Sequence, residues 1–405
     1  MTPNPDAIGA GIVVHVFGKT DVGRTREHNE DAYLVADLST DDSSLPTATR
    51  QQGAGPKGSL FMVADGMGGA AAGEIASAMA VESIKTEMRT NWVQQPATDA
   101  EAFVLALKTA TKNANTQIHT YASQHAEYRG MGTTATIAGL LGDTLYLAQV
   151  GDSRAYVVRR GVARQITKDQ SLMQKLVEAG ELTEEEAEHS ERRNIILQAL
   201  GPEQNIRVDL THQPVRRGDV LVLCSDGLSS QLNKDAIAEV VTEQDDLEAA
   251  CQSLIDLANA RGGPDNITVI LARFDGNGLF PPADTDEVGH QVFPLPSTLT
   301  PTDPIDAFGI DPRVFPTEEM EAIEGLPANV AGELGDEPPP ARPQQLSPQE
   351  LLKKYTPQKA QPPAPEVPPP VVSDARRNAG RTISFGLLAL AIAGALWFLY
   401  SAATR

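Results

Sequence analysis

Along the first 274 residues, short apolar runs bounded by turn residues alternate with longer stretches whose apolar positions recur every three or four residues. The short runs predict strands over Ser59–Ala64, Thr133–Leu140, Thr144–Val150, Ala155–Arg159, Val220–Cys224 and Ile267–Phe274. The longer stretches predict helices over Gly73–Arg89, Asp99–His125, Leu172–Ala179, Glu184–His189, Ile195–Leu200 and Asp235–Ala260. The last is expected to break near Gln244–Asp246, and a capping box of Thr98 and Glu101 is expected to open the second. Three strands follow one another between residues 133 and 159 with turns as short as Leu141-Gly142-Asp143. Such short connections join antiparallel neighbours, so the pattern predicts an α+β domain with antiparallel sheets and helices packed outside. Residues 39–58 are polar and Gly-rich and read as a loop insertion between two strands.

The pattern changes after residue 274. Of the 29 prolines in the 405-residue chain, 21 lie between Pro281 and Pro370, which leaves residues 275–380 as an expected acidic, disordered, Pro-rich linker. Ser347–Tyr355 could add a helical turn or two, and the proline runs could serve as a groove ligand. Then Ile383–Ala403 carries no charge and is mostly apolar. As a helix at about 1.5 Å per residue this run would span about 31 Å, enough for a hydrocarbon core. Arg376, Arg377 and Arg381 precede it, Arg405 follows, and Trp397 and Tyr400 sit near one end. A single-pass transmembrane anchor over 381–405 is therefore expected, inserted after translation, with the rest of the chain cytosolic at the inner membrane. The N-terminus lacks the basic and apolar stretches of a signal peptide.

The formal net charge of −21 divides into −13 over 1–274, −10 over 275–380 and +2 over 381–405. That balance disfavours a sequence-independent nucleic-acid binder, which needs a net basic surface. Only Cys224 and Cys251 are present, which excludes a disulfide framework and an all-cysteine zinc site.

Four aspartates stand where a strand meets a turn. Asp65 separates LFMVA from Gly-Met-Gly-Gly, Asp226 follows VLVLCS, Asp265 precedes ITVILA by one residue, and Asp31 precedes Ala-Tyr-Leu-Val. One such aspartate is ordinarily a turn former. Several brought to the end of a sheet repel one another unless a cation neutralises them, and an all-oxygen set suits Mg²⁺ or Mn²⁺. Two such ions would acidify a water and neutralise a phosphoryl group. Arg26, five residues before Asp31, could grip the phosphate with its planar fork. Asp152, in Gly151-Asp152-Ser153-Arg154, could hold a further ion or simply pair with Arg154.

Six ordered segments carry a family resemblance: Arg26–Asp31, Val63–Gly69, Gly132–Ala135, Val150–Tyr156, Leu223–Leu228 and Gly263–Val269. Together they resemble the type 2C metal-dependent serine/threonine protein phosphatases, most closely the bacterial branch, over roughly residues 12–274. Ile166–Gly201 is similar to that branch's flap. The resemblance implies a four-layer α-β-β-α sandwich with two metals at one end, the third, weaker metal site of bacterial members, and catalytic residues Arg26, Asp31 and Asp65. Asp65 would bridge both metals, the Gly66 carbonyl would ligate the first, and Asp226 and Asp265 would complete the second. Asp31 and Glu30 would hold metal-bound waters, Arg26 the phosphate, and Asp152 the third ion. Met67 stands where animal members place a histidine acid, so a metal-bound water or His28 would serve instead. Gln170 stands where many bacterial relatives carry histidine. The implied activity is hydrolysis of phosphoserine and phosphothreonine on proteins, opposing serine/threonine kinases. The competing readings are a pseudophosphatase and a membrane-tethered adaptor.

Overall fold

A computed structural model of the chain describes residues 11–43, 48–68, 72–188, 190 and 192–295. Most of the expected linker and the apolar run at 383–403 therefore lie outside the described residues. Among the described residues no helix is long and apolar enough to cross a membrane.

The strands are β1 (Val13–Asp21), β2 (Ala32–Asp37), β3 (Arg50–Gly53), β4 (Ser59–Ala64), β5 (Gly66–Met67), β6 (Gly132–Thr133), β7 (Ala135–Leu141), β8 (Thr144–Val150), β9 (Arg154–Arg159), β10 (Val162–Gln165), β11 (Asp209–Pro214), β12 (Val220–Cys224) and β13 (Ile267–Asp275). The helices are α1 (Ala72–Met88), α2 (Ala100–Gln124), α3 (Leu172–Glu178), α4 (Glu184–Glu188), α5 (Asp226–Ser229), α6 (Lys234–Glu243) and α7 (Leu247–Ala260). One sheet runs β10-β9-β12-β13-β1-β3 and the other β11-β8-β7-β4-β2, with β5 and β6 forming a small pair beside them. Every neighbouring pair is antiparallel.

Alternation along the strands explains the layering. In β4, Leu60, Met62 and Ala64 join the core under α1 and α2, while Phe61 and Val63 join the core between the sheets. In β12, Leu221 and Leu223 face the inter-sheet core, while Val220, Val222 and Cys224 face the third core, under α6 and α7. A strand buried on both faces must be apolar at every position, which is why these runs do not alternate in sequence. The result is four layers, helix–sheet–sheet–helix.

Several local expectations are corrected. Ile195–Leu200 is not a helix, because its backbone pairs with other segments: Leu172 N–H donates to Ile195 O (2.9 Å), Leu197 N–H to Gln170 O (2.8 Å) and Leu200 N–H to Thr133 O (2.8 Å). Asp99, rather than Thr98, caps α2, its carboxylate accepting from Ala102 N–H at 2.9 Å. The stretch 39–58 is not all loop, since the polar β3 pairs with β1. Both cysteines are buried free thiols.

Packed chain also continues past Asp275 into the segment expected to be linker. Leu279 is buried, and Arg216 grips the Asp286 carboxylate through Nε (2.9 Å) and Nη2 (2.8 Å). Arg159, in a buried ion pair with Asp219 at 2.7 Å, also donates to Asp286 O at 3.3 Å. Phe293 packs edge-on against Tyr146 and His212. Phe293 N–H donates to Leu210 O, and His212 N–H to Gln291 O, so this strap lies along β11. A chain ending at 295 should therefore be more stable than one ending at 274. Burial of Leu279 alone accounts for about 2 kcal/mol, and thermal melts of the two should differ by roughly 5 °C or more.

Candidate active site

The registers bring the strand-end aspartates together. Ala32 pairs with Ala64, so Asp31 before β2 and Asp65 after β4 emerge side by side from one sheet. In the other sheet, Cys224 pairs with Val269 and with Arg154, which sets Asp226, Asp265 and the start of β9 at one end. The turn from β8 to β9 passes between the sheets there and carries Asp152. Gly151 takes φ +101°, and a Cβ on it would lie 2.7 Å from Thr134 Cγ2, so the turn needs glycine.

Neutral hydrogen-bonding side chains join the two halves. Asp31 Oδ2 accepts from Thr268 Oγ1 at 2.6 Å and from Ser225 Oγ at 2.8 Å, both on the opposite sheet or its loop. Asn266 Oδ1 accepts from Glu30 N–H at 2.8 Å, and its amide donates to Val22 O and His28 O. Asp65 N–H donates to Thr134 Oγ1 at 3.0 Å, which shares a hydrogen bond with Ser153 Oγ at 2.8 Å. Sequence reasoning gave Asn266, Ser225, Thr268, Thr134 and Ser153 no role. The available signal was a polar residue inside or beside a fully apolar run, as with Thr268 in ITVILA.

Burial and mutual repulsion dominate the electrostatics. Burial pushes Asp31 up to about 7, against the hydrogen bonds from Thr268 and Ser225. Asp65 is raised well above the carboxylate range by burial first, then by Asp31, Asp226, Asp152 and Asp265. Burial and then Asp226 raise Asp152. Asp226 is raised by burial and Asp265, while a hydrogen bond from Asp65 holds it down. Burial raises Glu30, opposed by Arg26. Asp31 Oδ1 and Asp152 Oδ1 are buried without a hydrogen-bond partner. Oxygen donors in this state suit a hard divalent cation, which would neutralise the repulsion and satisfy those atoms. Among the described residues, no group of three or more His, Cys, Asp or Glu side chains stands close enough together to hold a metal ion.

The remaining expected residues fall around this cluster. Arg26 donates from Nη2 to Asp265 Oδ2 at 2.9 Å, exposed at the rim. Gly66 is held so closely that a Cβ would meet Glu30 O and Gly73 O at 2.3 Å. His28 is exposed, its carbonyl engaged by Asn266. Arg154 does not pair with Asp152. Its Nε and Nη2 grip Asp169 at 2.9 and 2.7 Å, because the flap segment folds back beneath the turn.

The protein phosphatase 2C profile matches residues 35–260. The chain belongs to that family. It is 35% identical over 262 residues to the serine/threonine phosphatase stp of Listeria monocytogenes, covering 65% of this chain and 96% of that protein. It is 36% identical over 261 residues to the serine/threonine protein phosphatase PstP of Mycobacterium tuberculosis, covering 64% of this chain and 45% of that protein. Among solved structures, the S. agalactiae serine/threonine phosphatase superposes with TM-score 0.56 at 35% identity, over 64% of this chain and 99% of that one. The PstP catalytic domain in complex with two manganese ions superposes with TM-score 0.53 at 32% identity, over 65% and 99%. The chain is a protein serine/threonine phosphatase.

Desolvation of Asp31 has a pH consequence for the metal-free phosphatase. Its carboxyl is raised in the fold, so the stabilising contribution of the neutral form is complete below the unfolded pKa and is lost as pH rises towards about 7. In chelator, the melting temperature of the wild type should fall more steeply between about pH 5 and about pH 8 than that of Asp31→Asn. Parallel curves would show that Asp31 does not titrate in this range.

Proposed function

We propose that the phosphatase hydrolyses phosphoserine and phosphothreonine on proteins with water activated by two divalent ions, Mn²⁺ or Mg²⁺, opposing serine/threonine kinases. What carries this reading is the gathering of Asp31, Asp65, Asp152, Asp226 and Asp265 at one end of the sandwich, with Asp31 Oδ1 and Asp152 Oδ1 buried and unpartnered. Asp65, the Gly66 carbonyl, Asp226 and Asp265 would hold the two ions, and Asp152 a third, weaker one. When bound, the ions would acidify the attacking water and offset phosphoryl charge.

This chain's own groups would do the rest. Glu30 and the buried Asp31 would serve as hydrogen-bond acceptors for water. Asp31 is kept in place by Ser225 and Thr268, so its free Oδ1 has one direction to face. Arg26 would exchange part of its contact with Asp265 for the phosphate of the substrate, giving two parallel bonds from one guanidinium. The leaving serine or threonine oxygen needs a proton. Met67 follows Gly66 and cannot supply it, so a water or the exposed His28 would be the donor.

Asp65→Asn and Asp226→Asn should each lower phosphopeptide turnover at least about a hundredfold at saturating Mn²⁺ while the fold persists, since each removes an anionic ligand. Arg26→Ala should instead act mainly on KM. Near wild-type turnover in either aspartate variant would overturn the two-ion assignment.

The location belongs to the same proposal. The uncharged run 383–403, flanked by Arg376, Arg377 and Arg381, supports a membrane anchor with the phosphatase domain on the cytosolic side of the inner membrane. Phosphoproteins at that membrane, a kinase among them, would then be the substrates met at high effective concentration. On cell fractionation, the full chain should sediment with membranes and a chain ending at 295 should not. Full-length chain in the soluble fraction would refute the anchor.

A further inference from the structure

The root of the flap segment is fastened to the turn that carries Asp152 by successive contacts. Ala155 N–H donates to Thr167 Oγ1 at 3.0 Å, Arg154 grips Asp169, and Gln170 closes on Gly151 from both sides. Gln170 N–H donates to Gly151 O at 2.9 Å, and its side-chain Oε1 accepts from Gly151 N–H at 3.0 Å. The other end of the same amide, Nε2, donates to Asp209 Oδ2 at 2.9 Å and, at 3.4 Å each, to Gln149 O and Arg207 O. Asp209 is fixed in turn by Arg207 Nε, which donates to Oδ1 at 2.8 Å, and by the pairing of β11 with β8. Gln170 is buried at 8% exposure, and Leu197 N–H donates to its carbonyl at 2.8 Å, which ties in the far side of the flap. On the opposite side of the turn, Ser153 is linked through Thr134 Oγ1 to the backbone of Asp65.

We propose that Gln170, anchored by Asp209, is a positioning residue that fixes the Gly151-Asp152 turn from the flap and so sets where the Asp152 carboxylate stands relative to Asp65. The inference rests on the reading of Asp152 as ligand to the weaker ion. A primary amide suits this position because it must accept at one end and donate at the other, and Gly151 N–H and Asp209 Oδ2 demand that polarity. A carboxylate in its place would keep the acceptor for Gly151 and lose the donor for Asp209. Flap displacement would then pull on Gly151, and through it on Asp152, without any ligand residue being altered.

The polarity can be reversed, which gives the test. In the full chain, Gln170→Glu places a carboxylate against Asp209. Adding Asp209→Asn restores the bond in the opposite sense, with the new side-chain amide donating and its oxygen still available to Arg207. Three quantities are read: hydrogen exchange of the Gly151 amide in chelator, the Mn²⁺ concentration for half-maximal activity, and kcat against KM on a phosphopeptide. Gln170→Glu should speed Gly151 exchange and raise the Mn²⁺ requirement. It should also lower kcat more than it changes KM, each by about three- to tenfold, the weight of one hydrogen bond. The double variant should recover most of that loss, only the two long contacts to Gln149 O and Arg207 O staying broken. Gln170→Ala removes all the side-chain bonds without adding charge and gives the same readouts if the charged variant melts early. Unchanged Gly151 exchange in both Gln170 variants, or a double variant no better than the single, would overturn the proposal. Asp152→Ala separates the two layers. If it leaves the Mn²⁺ requirement unchanged while Gln170→Glu still opens Gly151, the ion assignment of Asp152 fails and the positioning role stands.

Discussion

Carboxylates that repel one another are held at one end of a two-sheet stack, and that repulsion must be withstood before any chemistry is possible. The resistance comes from Asp31, whose Oδ2 accepts hydrogen bonds from Thr268 and Ser225 across the gap between the sheets. Those bonds fasten the loop before β2 to the ends of β12 and β13. Asn266 adds three bonds to the β1–β2 loop, and Thr134 and Ser153 fix Asp65 against the β8–β9 turn. Behind this end, strands buried on both faces leave little freedom to relax. The aspartates are thus presented in fixed relative positions by neutral groups that add no charge of their own.

Much of this was legible in the chain. A run such as LFMVA with an aspartate directly after it and glycine next is a strand that ends on a carboxylate, and antiparallel register carries Asp31 and Asp65 to the same end. The helices α1, α2, α6 and α7 were legible from period, and the interruption near Gln244–Asp246 from its polar residues. Where reading failed, the backbone partner lay far away in sequence. Ile195–Leu200 has helical spacing, but its amides and carbonyls are taken by Gln170, Leu172 and Thr133. β3 and β11 are polar strands, whose pairing comes from the register of β1 and β8 and not from their own side chains. Arg154 was open to pairing with Asp152 because the return of Asp169 to that turn is a tertiary event.

The polar residues that fasten the site were the least legible. Thr268 sits in a strand where its neighbours Ile267 and Val269 face a helix layer and Ile270 faces the other sheet. Nothing in a single threonine distinguishes a satisfied core hydroxyl from one that holds a carboxylate. The distinction appears only once Asp31, distant in sequence, is brought opposite.

The strap along β11 bears on a different matter, the behaviour of the molecule among its own copies. β11 is an outer strand of its sheet, and an outer strand offers unpaired amides and carbonyls to any other chain that meets it. Leu210 O and His212 N–H, which point outward, are occupied by Phe293 N–H and Gln291 O, and the Phe293 ring covers the adjoining side chains of Tyr146 and His212. The stretch from Gln291 to Phe293 therefore blocks part of this edge. Proteolytic nicking within it would leave the carboxylate cluster at the other elements untouched, yet would expose a sticky edge, so the first sign of damage would be self-association that grows with protein concentration.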